Sequence, residues 1–218
     1  MMKIAVLGGT GRTGKLVVDI ALEKGHEVNC LVRDRSQLVP TKGLTLIEGV
    51  PNDSSALEKL MKGCSALINI LNVSRTNDFP WAPLRAPENL ISDAMDKVIH
   101  IASDSGPERI ISCSAWGVHE TKKDLPFWFR LLIDKSNIGP AYADHERQET
   151  ILENSTAAWT IVRPVGLTNS PALQLVQESF ANTPKPQLTI SRATLAKYLV
   201  GCIENEALIH KKVVISKT

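Results

Sequence analysis

The chain has 218 residues, a formal net charge of +2 at pH 7 and 43% hydrophobic residues. That length suits one α/β domain with a continuous core, and the interspersed charges form no basic stripe, so nucleic acid is not an expected partner. No apolar run is long enough for a membrane helix or a secretory signal, so we expect a cytoplasmic location and no membrane contact.

The first predicted element is a short apolar strand over residues 3–7, which runs into a glycine-rich turn. Gly8, Gly11 and Gly14 fall three apart, and residues 15–24 then carry apolar side chains at helical spacing. In such a turn the first glycine allows the tight bend, the second lets the backbone approach a diphosphate, and the third lets helix and strand pack closely. With a second strand following, the pattern predicts a dinucleotide site at the positive end of the helix. The alternative is that the glycines only shape a turn.

The end of the second strand, predicted over residues 26–32, decides between the two nicotinamide dinucleotides. NAD-binding proteins usually place an acid there for the ribose 2′-OH, whereas this chain has Arg33. Because a guanidinium suits a dianionic 2′-phosphate, we expect NADP(H) to be preferred over NAD(H). Arg12 and residues 35–36 would close a cationic cup around that phosphate. Asp34 keeps NAD(H) open, since a shift of one residue would offer its carboxylate to the ribose.

Strand and helix patterns keep alternating along the rest of the chain, which predicts parallel strands joined by right-handed crossovers. A helix starts near residue 52, with Ser55 and Glu58 at capping-box spacing. The other predicted strands cover 44–47, 66–73, 109–114, 159–162 and 213–216, and the other predicted helices cover 88–102, 143–153 and 193–204. The expected architecture is α/β: a single-domain Rossmann fold over 1–218, with a doubly wound, mostly parallel sheet and helices on both faces.

Ligands of an open α/β sheet bind beyond the carboxyl ends of its strands, so we expect the site to form from the residues just after each strand. Among them, Arg75 is a candidate for contacting an anionic substrate or the cofactor diphosphate. Seven of the ten aromatic residues lie in the connections after the fourth and fifth strands: Phe79, Trp81, Trp116, Phe127, Trp128, Phe129 and Tyr142. They predict either a flat apolar pocket over the nicotinamide or the packing of a long loop. The substrate-side loop at about 115–140 lacks clear periodicity and is a candidate lid.

Five motifs occur in the order and places that a known family uses. They are Gly-Gly-Thr-Gly-Arg-Thr-Gly at 8–14, Leu-Val-Arg-Asp at 31–34, Ser-Cys-Ser-Ala at 112–115, Asp-His at 144–145 and Thr-Ile-Val-Arg-Pro at 160–164. With them the chain resembles the atypical short-chain dehydrogenase/reductases. Within these it is most similar to the NAD(P)-binding NmrA-like group and to the NADPH-dependent flavin reductases, also called biliverdin reductase B. The resemblance covers nearly the whole chain and is specific for the cofactor, not for a substrate.

The resemblance, together with the places of the residues after the strands, implies where NADP(H) is held. The expected cofactor-binding residues are Gly8, Thr10, Gly11, Arg12, Thr13, Gly14, Arg33, Gly49, Asn72, Val73 and Pro164. By the same resemblance Ser114 lies beside the nicotinamide and Pro164 lines its edge. Ser114 would hydrogen-bond the nicotinamide or the substrate; the alternative is a serine that only satisfies the backbone.

The chain departs from the family at the proton-relaying pair. Most short-chain dehydrogenases use a tyrosine and a lysine four residues apart, whereas Ala141 and His145 stand at those places and Tyr142 is one residue out of register. Reduction of a carbonyl with a built-in proton donor is therefore disfavoured. His145 is a candidate acid or pocket residue, or else a solvated side chain. The candidate catalytic residues are Ser114, His145 and Tyr142.

Two further departures concern the substrate end and the adenine end. Gly166 replaces a histidine that the flavin reductases carry after the sixth strand, and Val50-Pro51 replaces a Gly-Asp near adenine. The favoured function is an NADPH-dependent reductase of a flat acceptor such as a flavin or quinone, because positioning suffices when solvent supplies the proton. The alternative is an NmrA-like sensor that binds NADP(H) without turnover and signals to a protein partner. A sugar-nucleotide isomerase or dehydratase is disfavoured, because the chain lacks the tyrosine that such an enzyme would need.

Histidine and cysteine show no metal-ligand spacing, so no metal site is predicted. The cysteines lie far apart in apolar segments and are expected to be buried, reduced thiols: Cys30, Cys64, Cys113 and Cys202. Four of the five histidines are expected at the surface: His26, His100, His119 and His210.

Overall fold

A computed structural model describes residues 1–218, apart from the side chain of Ser105. The strands are β1 (Lys3–Leu7), β2 (Glu27–Val32), β3 (Leu44–Glu48), β4 (Ala66–Asn69), β5 (Arg109–Cys113), β6 (Ala158–Pro164), β7 (Gly166–Thr168), β8 (Val176–Ser179), β9 (Thr189–Ser191) and β10 (Lys211–Lys217). The helices are α1 (Arg12–Glu23), α2 (Ser54–Met61), α3 (Leu90–Ser105), α4 (Phe127–Asp134), α5 (Gly139–Glu153) and α6 (Arg192–Gly201).

Eight strands form one sheet in the order β3-β2-β1-β4-β5-β6-β10-β8. Every neighbouring pair is parallel except β10 and β8, which run antiparallel at one edge. The chain therefore winds outward from β1 in both directions, and the switch of direction lies between β1 and β4. This confirms the predicted doubly wound, mostly parallel Rossmann fold. A separate two-stranded ladder pairs β7 with β9.

Alternate residues of the central strand serve the two faces of the sheet. Ile4 and Val6 pack into a core with α1 and α6, whereas Ala5 and Leu7 pack into a second core with α2, α3 and α5. All four side chains are completely buried. A strand covered on both faces has no polar side, which explains why residues 3–7 form a continuous apolar run.

Two local predictions need correction. The fourth strand ends at Asn69 and not at position 73, because the Asn69 carboxamide oxygen accepts the backbone N–H of Leu71 at 3.1 Å and turns the chain out of the sheet. Helix α2 is capped by Asp53, which accepts the N–H groups of Ser55 and Ala56; the predicted Ser55–Glu58 capping box does not form.

The segment predicted as an irregular lid is folded. It contains a 3-10 turn at His119–Asp124 and helix α4, which the sequence reading missed. Glu120 of that turn forms an ion pair at 2.6 Å with the buried Arg163 of β6. The Trp81 indole donates a 2.8 Å hydrogen bond to the Lys135 carbonyl after α4. The segment is therefore tied both to the sheet and to the connection that follows β4.

The cysteines are all buried and free, as predicted. Burial raises the pKa of Cys30 and Cys113 to about 12, so these thiols are unreactive at neutral pH. His26, expected at the surface, is buried just ahead of β2, and burial lowers its pKa. Among the described helices, none combines the length and the apolarity that crossing a membrane requires.

Candidate functional site

A cleft of about 770 Å³ opens at the carboxyl ends of the strands, where the connections after the neighbouring strands β1 and β4 lead to opposite faces of the sheet. It is lined by every residue that the sequence predicted for the cofactor and for catalysis: Gly8, Thr10, Gly11, Arg12, Thr13, Gly14, Arg33, Gly49, Asn72, Val73, Ser114, Tyr142, His145 and Pro164. We call the part around Arg33, Gly49 and Val50 the outer end, because Arg33 and Val50 are exposed. The part around Ser114, Tyr142 and His145, which are buried or half-buried, is the inner end.

The glycine turn after β1 is sterically required at two positions. Gly8 has φ +83°, and a Cβ there would lie 2.8 Å from the backbone of Ile70. A Cβ on Gly14 would collide with the carbonyl oxygen of Gly8. The third glycine therefore lets the first turn of α1 pack directly on the loop.

Helix α1 begins without a side-chain cap. Its N-cap is Gly11, which offers no side-chain acceptor, and its first turn contains no acid. By contrast, Asp53 caps α2 and Ser191 caps α6. The first amides of an uncapped helix have no intrahelical acceptors and carry the positive end of the helix dipole. In this cleft they form a ready site for a diphosphate.

Of the three charged residues that follow β2, only Arg33 lines the outer end of the cleft. Arg33 lines the cleft and has no ion-pair partner among the described residues. Asp34 is turned to its own loop: its carboxylate accepts the N–H of Ser36 at 2.8 Å and the Ser36 hydroxyl at 2.7 Å, which lowers its pKa. Arg35 lies 3.7 Å from Glu48. The prediction that residues 35–36 help to surround the 2′-phosphate is therefore wrong, since neither Arg35 nor Ser36 lines the cleft.

Arg12 has a partner on the far side of the cleft. Its guanidinium makes two hydrogen bonds, of 3.0 and 2.8 Å, to the Asp78 carboxylate in the connection after β4. This ion pair lowers the pKa of Asp78, and the nearby charges of Arg192 and Arg75 lower it further. Arg12 therefore belongs to a charged group at the mouth of the cleft.

Ser114 is held by its backbone and leaves its hydroxyl free. Its N–H donates a 2.8 Å hydrogen bond to the Val162 carbonyl, which continues the pairing of β5 with β6. The side chain is only 4% exposed, and its Oγ has no partner among the described residues. A buried, unpaired hydroxyl in a cleft wall costs free energy unless a ligand satisfies it.

His145 is buried in the inner wall, on α5, so the predicted alternative of a solvated side chain is wrong. Burial lowers the pKa of the His145 imidazole to about 4, and the Asp144 carboxylate opposes this only in part. The ring is therefore neutral at physiological pH. Asp144 is used elsewhere: it accepts the N–H groups of Ile91 and Ser92 and so caps α3 from outside.

Tyr142 lacks the surroundings that activate the tyrosine of the family. Its hydroxyl donates a 3.3 Å hydrogen bond to the Trp116 carbonyl, and burial raises the pKa of the phenol to about 12. Among the described residues, no lysine lines the cleft to stabilise a phenolate. Tyr142 thus contributes an apolar ring, which packs edge-on against Phe129 with ring centroids 6.5 Å apart.

The aromatic prediction holds in part. Three of the seven residues line the cleft: Trp116, Phe129 and Tyr142. The other four lie outside it. Phe79 and Trp81 are in a loop that is tied to Lys135, just after α4, by the Trp81 indole. Phe127 and Trp128 are the first two residues of α4 and face solvent.

The sequence reading missed two buried polar residues behind the inner end, Asn69 and Gln148. The Asn69 carboxamide donates a 2.6 Å hydrogen bond to the Gln148 carboxamide, which in turn contacts Nδ1 of His145 at 3.3 Å. The sequence places Asn69 in a predicted strand and Gln148 in a predicted helix, and neither pattern indicates a role in the site. Gln148 stands three residues after His145, on the same helix face, and that spacing was the available signal.

A Rossmann fold with an uncapped glycine-turn helix at a strand-end cleft defines a dinucleotide-binding protein. Residues 8–206 match the family described as NAD(P)H-binding, so the chain belongs to that family. This confirms the predicted resemblance to NAD(P)-binding, NmrA-like short-chain dehydrogenase/reductases, and it makes the chain an NAD(P)H-dependent oxidoreductase.

Individual relatives are distant. The chain is 26% identical to an "uncharacterized sugar epimerase", YhfK of Bacillus subtilis (strain 168), over 94% of this chain and 89% of the relative. A short-chain dehydrogenase/reductase of Veillonella parvula, solved in complex with NADP, superposes with a TM-score of 0.79 at 16% identity, covering 99% and 94% of the two chains. ChuY, an anaerobillin reductase of Escherichia coli O157:H7, gives 0.78 at 19%, covering 99% and 97%. At these identities the solved structures show a shared fold.

Proposed function

We propose that this protein is an NADPH-dependent reductase that passes hydride to a flat acceptor such as a flavin or a quinone. The observation that carries the proposal is the orphaned Ser114 hydroxyl in a lysine-free inner wall. Such a wall can orient a ring and offer a hydrogen bond, but it lacks the cationic partner that a tyrosine proton relay needs.

NADP(H) is the proposed cofactor in preference to NAD(H). Arg33 is exposed, lines the outer end and has no ion-pair partner among the described residues, whereas both carboxylate oxygens of Asp34 are occupied by Ser36. A free guanidinium favours a 2′-phosphate, and an engaged carboxylate offers little to a 2′-hydroxyl. The free amides at the start of α1 would hold the diphosphate.

The bound cofactor would supply the hydride, and the residues of the chain would position the two rings. Ser114 would hydrogen-bond the nicotinamide or the acceptor. The Trp116, Phe129 and Tyr142 side chains would give the acceptor an apolar wall, and solvent would provide its proton. Orientation of this kind converts a slow encounter into an effectively intramolecular step.

The test is oxidation of NADPH, followed by its near-ultraviolet absorbance, on addition of flavin mononucleotide or a quinone. We expect turnover with the wild type and about a tenfold lower kcat for Ser114→Ala, the loss typical of one positioning hydrogen bond. Ser103→Ala is the matched control, because Ser103 is exposed on α3 and does not line the cleft. Tight NADP binding without turnover on any flat acceptor would contradict the reductase and favour the sensor.

A further inference from the structure

Behind the inner end, three buried side chains form a polar chain that ends at the cleft. Asn69 lies at the end of β4, Gln148 and His145 lie on α5, and all three are buried. Asn69 Nδ2 lies 2.6 Å from Gln148 Oε1, and Gln148 Nε2 lies 3.3 Å from His145 Nδ1. Buried polar groups at this density have a definite donor and acceptor order, since a reversed pair would leave two groups unsatisfied.

Two backbone groups set the direction of this chain. The N–H of Leu71 donates to Asn69 at 3.1 Å, which requires an oxygen at that position and leaves the Asn69 amide nitrogen facing Gln148. The carbonyl of Cys113 accepts from Gln148 at 3.4 Å, which requires the Gln148 nitrogen on that side. The amide orientations of Asn69 and Gln148 are therefore determined at both ends by the main chain.

The consequence falls on the imidazole. Because Gln148 presents an N–H to Nδ1 of His145, that ring nitrogen must be an acceptor and carries no proton. The proton of the neutral ring is then on Nε2. Nε2 has no protein partner among the described residues, and His145 lines the cleft. The ring thus offers an uncharged hydrogen-bond donor to the cleft that His145 lines.

We propose that Gln148 is a positioning residue that holds His145 as its Nε2–H tautomer, and that His145 thereby selects acceptors with a carbonyl oxygen or a heteroaromatic ring nitrogen at this point. The proposal rests on the proposed reductase function and names the substrate class of that site. A fixed N–H can only donate, so a ligand atom opposite it needs a lone pair. When hydride brings two electrons to a conjugated acceptor, negative charge develops on such an atom, and the N–H stabilises it. His145 keeps its proton, and solvent protonates the product.

The first experiment reads the tautomer directly and needs no turnover. Long-range proton–nitrogen NMR spectra of the protein labelled with ¹⁵N-histidine distinguish a protonated Nε2 from a protonated Nδ1 and from an imidazolium ring. We expect Nε2–H at neutral pH in the wild type. In Gln148→Glu, a carboxylate faces Nδ1, so the proton moves to Nδ1 or the ring becomes charged. Gln187→Glu, the same change at an exposed position, is the control and should leave the spectrum unchanged.

The second experiment connects the tautomer to the acceptor. With NADPH saturating, we expect Gln148→Glu to lower kcat/KM for a quinone about tenfold, as for one lost hydrogen bond in a buried site, while the Kd for NADP stays unchanged. Gln148→Met removes both polar atoms and keeps a side chain of similar length, so it replaces the glutamate variant in this measurement if that variant fails to fold. It should give a mixture of tautomers and an intermediate loss.

The outcomes separate the two proposals. An Nδ1–H or charged ring in the wild type overturns the role of Gln148, whatever the turnover. Nε2–H in the wild type with no shift on adding flavin mononucleotide or a quinone to the NADP complex overturns acceptor selection by His145. If the ring is Nε2–H and its NMR signals shift with those ligands, but the protein oxidises no NADPH, the role of His145 as a donor is supported and the proposed reductase function is contradicted.

Discussion

The two ends of the cleft present chemically different groups to a ligand. The outer end has an exposed cation, Arg33, whose attraction for a phosphate is screened by salt and water. The inner end has buried, uncharged groups, Ser114 and His145, whose hydrogen bonds operate in surroundings of low dielectric constant. Under the proposed function, the outer end would tell cofactors apart by charge, and the inner end would tell acceptors apart by the position of a lone pair.

The difference also determines how each end responds to mutation. Loss of an exposed cation leaves the fold unchanged and affects one ligand. Loss of the buried His145 ring leaves its partner Gln148 unsatisfied, so stability and activity change together. Three experiments test whether the ends are separable in this way.

The largest effect is expected at the glycine turn, which both ends share. In Gly14→Ala the added methyl collides with the Gly8 carbonyl, a backbone atom that cannot move aside. We expect a loss of about 3 kcal/mol or more in the free energy of unfolding, the upper range for overpacking, and no measurable NADP binding. Gly201→Ala is the control, since a Cβ there meets nothing within 4 Å. Its stability, followed by thermal unfolding, should match or exceed that of the wild type. A stable Gly14→Ala that binds NADP would show that the turn is not the common base.

The pH dependence of the free energy of unfolding should reveal the burial of His145 at the inner end. The folded pKa of His145 is lowered to about 4, below the value of 6.5 for an unperturbed histidine. Between these values the unfolded chain binds the extra proton, so stability is complete above pH 6.5 and falls as the pH drops toward 4. The full contribution is roughly 3 kcal/mol. Urea unfolding at several pH values should show a shallower slope for His145→Gln than for the wild type. Equal slopes would mean that the ring is solvated in the folded protein.

A smaller and more selective effect is expected at the outer end. Arg33→Ala should weaken NADP binding about 30-fold through loss of charge-assisted hydrogen bonds, while NAD binding and the unfolding free energy stay the same. Arg35→Ala, which removes a neighbouring cation that faces Glu48 and not the cleft, is the matched control. Calorimetric titration with both dinucleotides measures the difference. If Arg33→Ala weakens both cofactors equally, the cation does not discriminate between them.

Sequence reasoning failed where short segments depend on distant partners. The segment at about 115–140 is predicted as a loop, yet Pro126 is the N-cap of α4 and Pro140 lies in the first turn of α5. Proline is tolerated at both positions because no intrahelical N–H is needed there. The three-residue strands β7 and β9 are too short to show any periodicity, and each exists because the other pairs with it.

The amino-acid sequence by itself determined the Rossmann architecture, the glycine turn and the cation at Arg33. These depend on local patterns: apolar periodicity, glycine spacing and the residue at a strand end. Only the tertiary structure decided that Arg12 faces Asp78, that Asp34 turns away from the cleft, and that Gln148 orients the His145 ring. The reason is that donor and acceptor order in a buried network is set by groups far apart in the chain, such as the Leu71 amide and the Cys113 carbonyl, which meet only when β4, β5 and α5 are packed together.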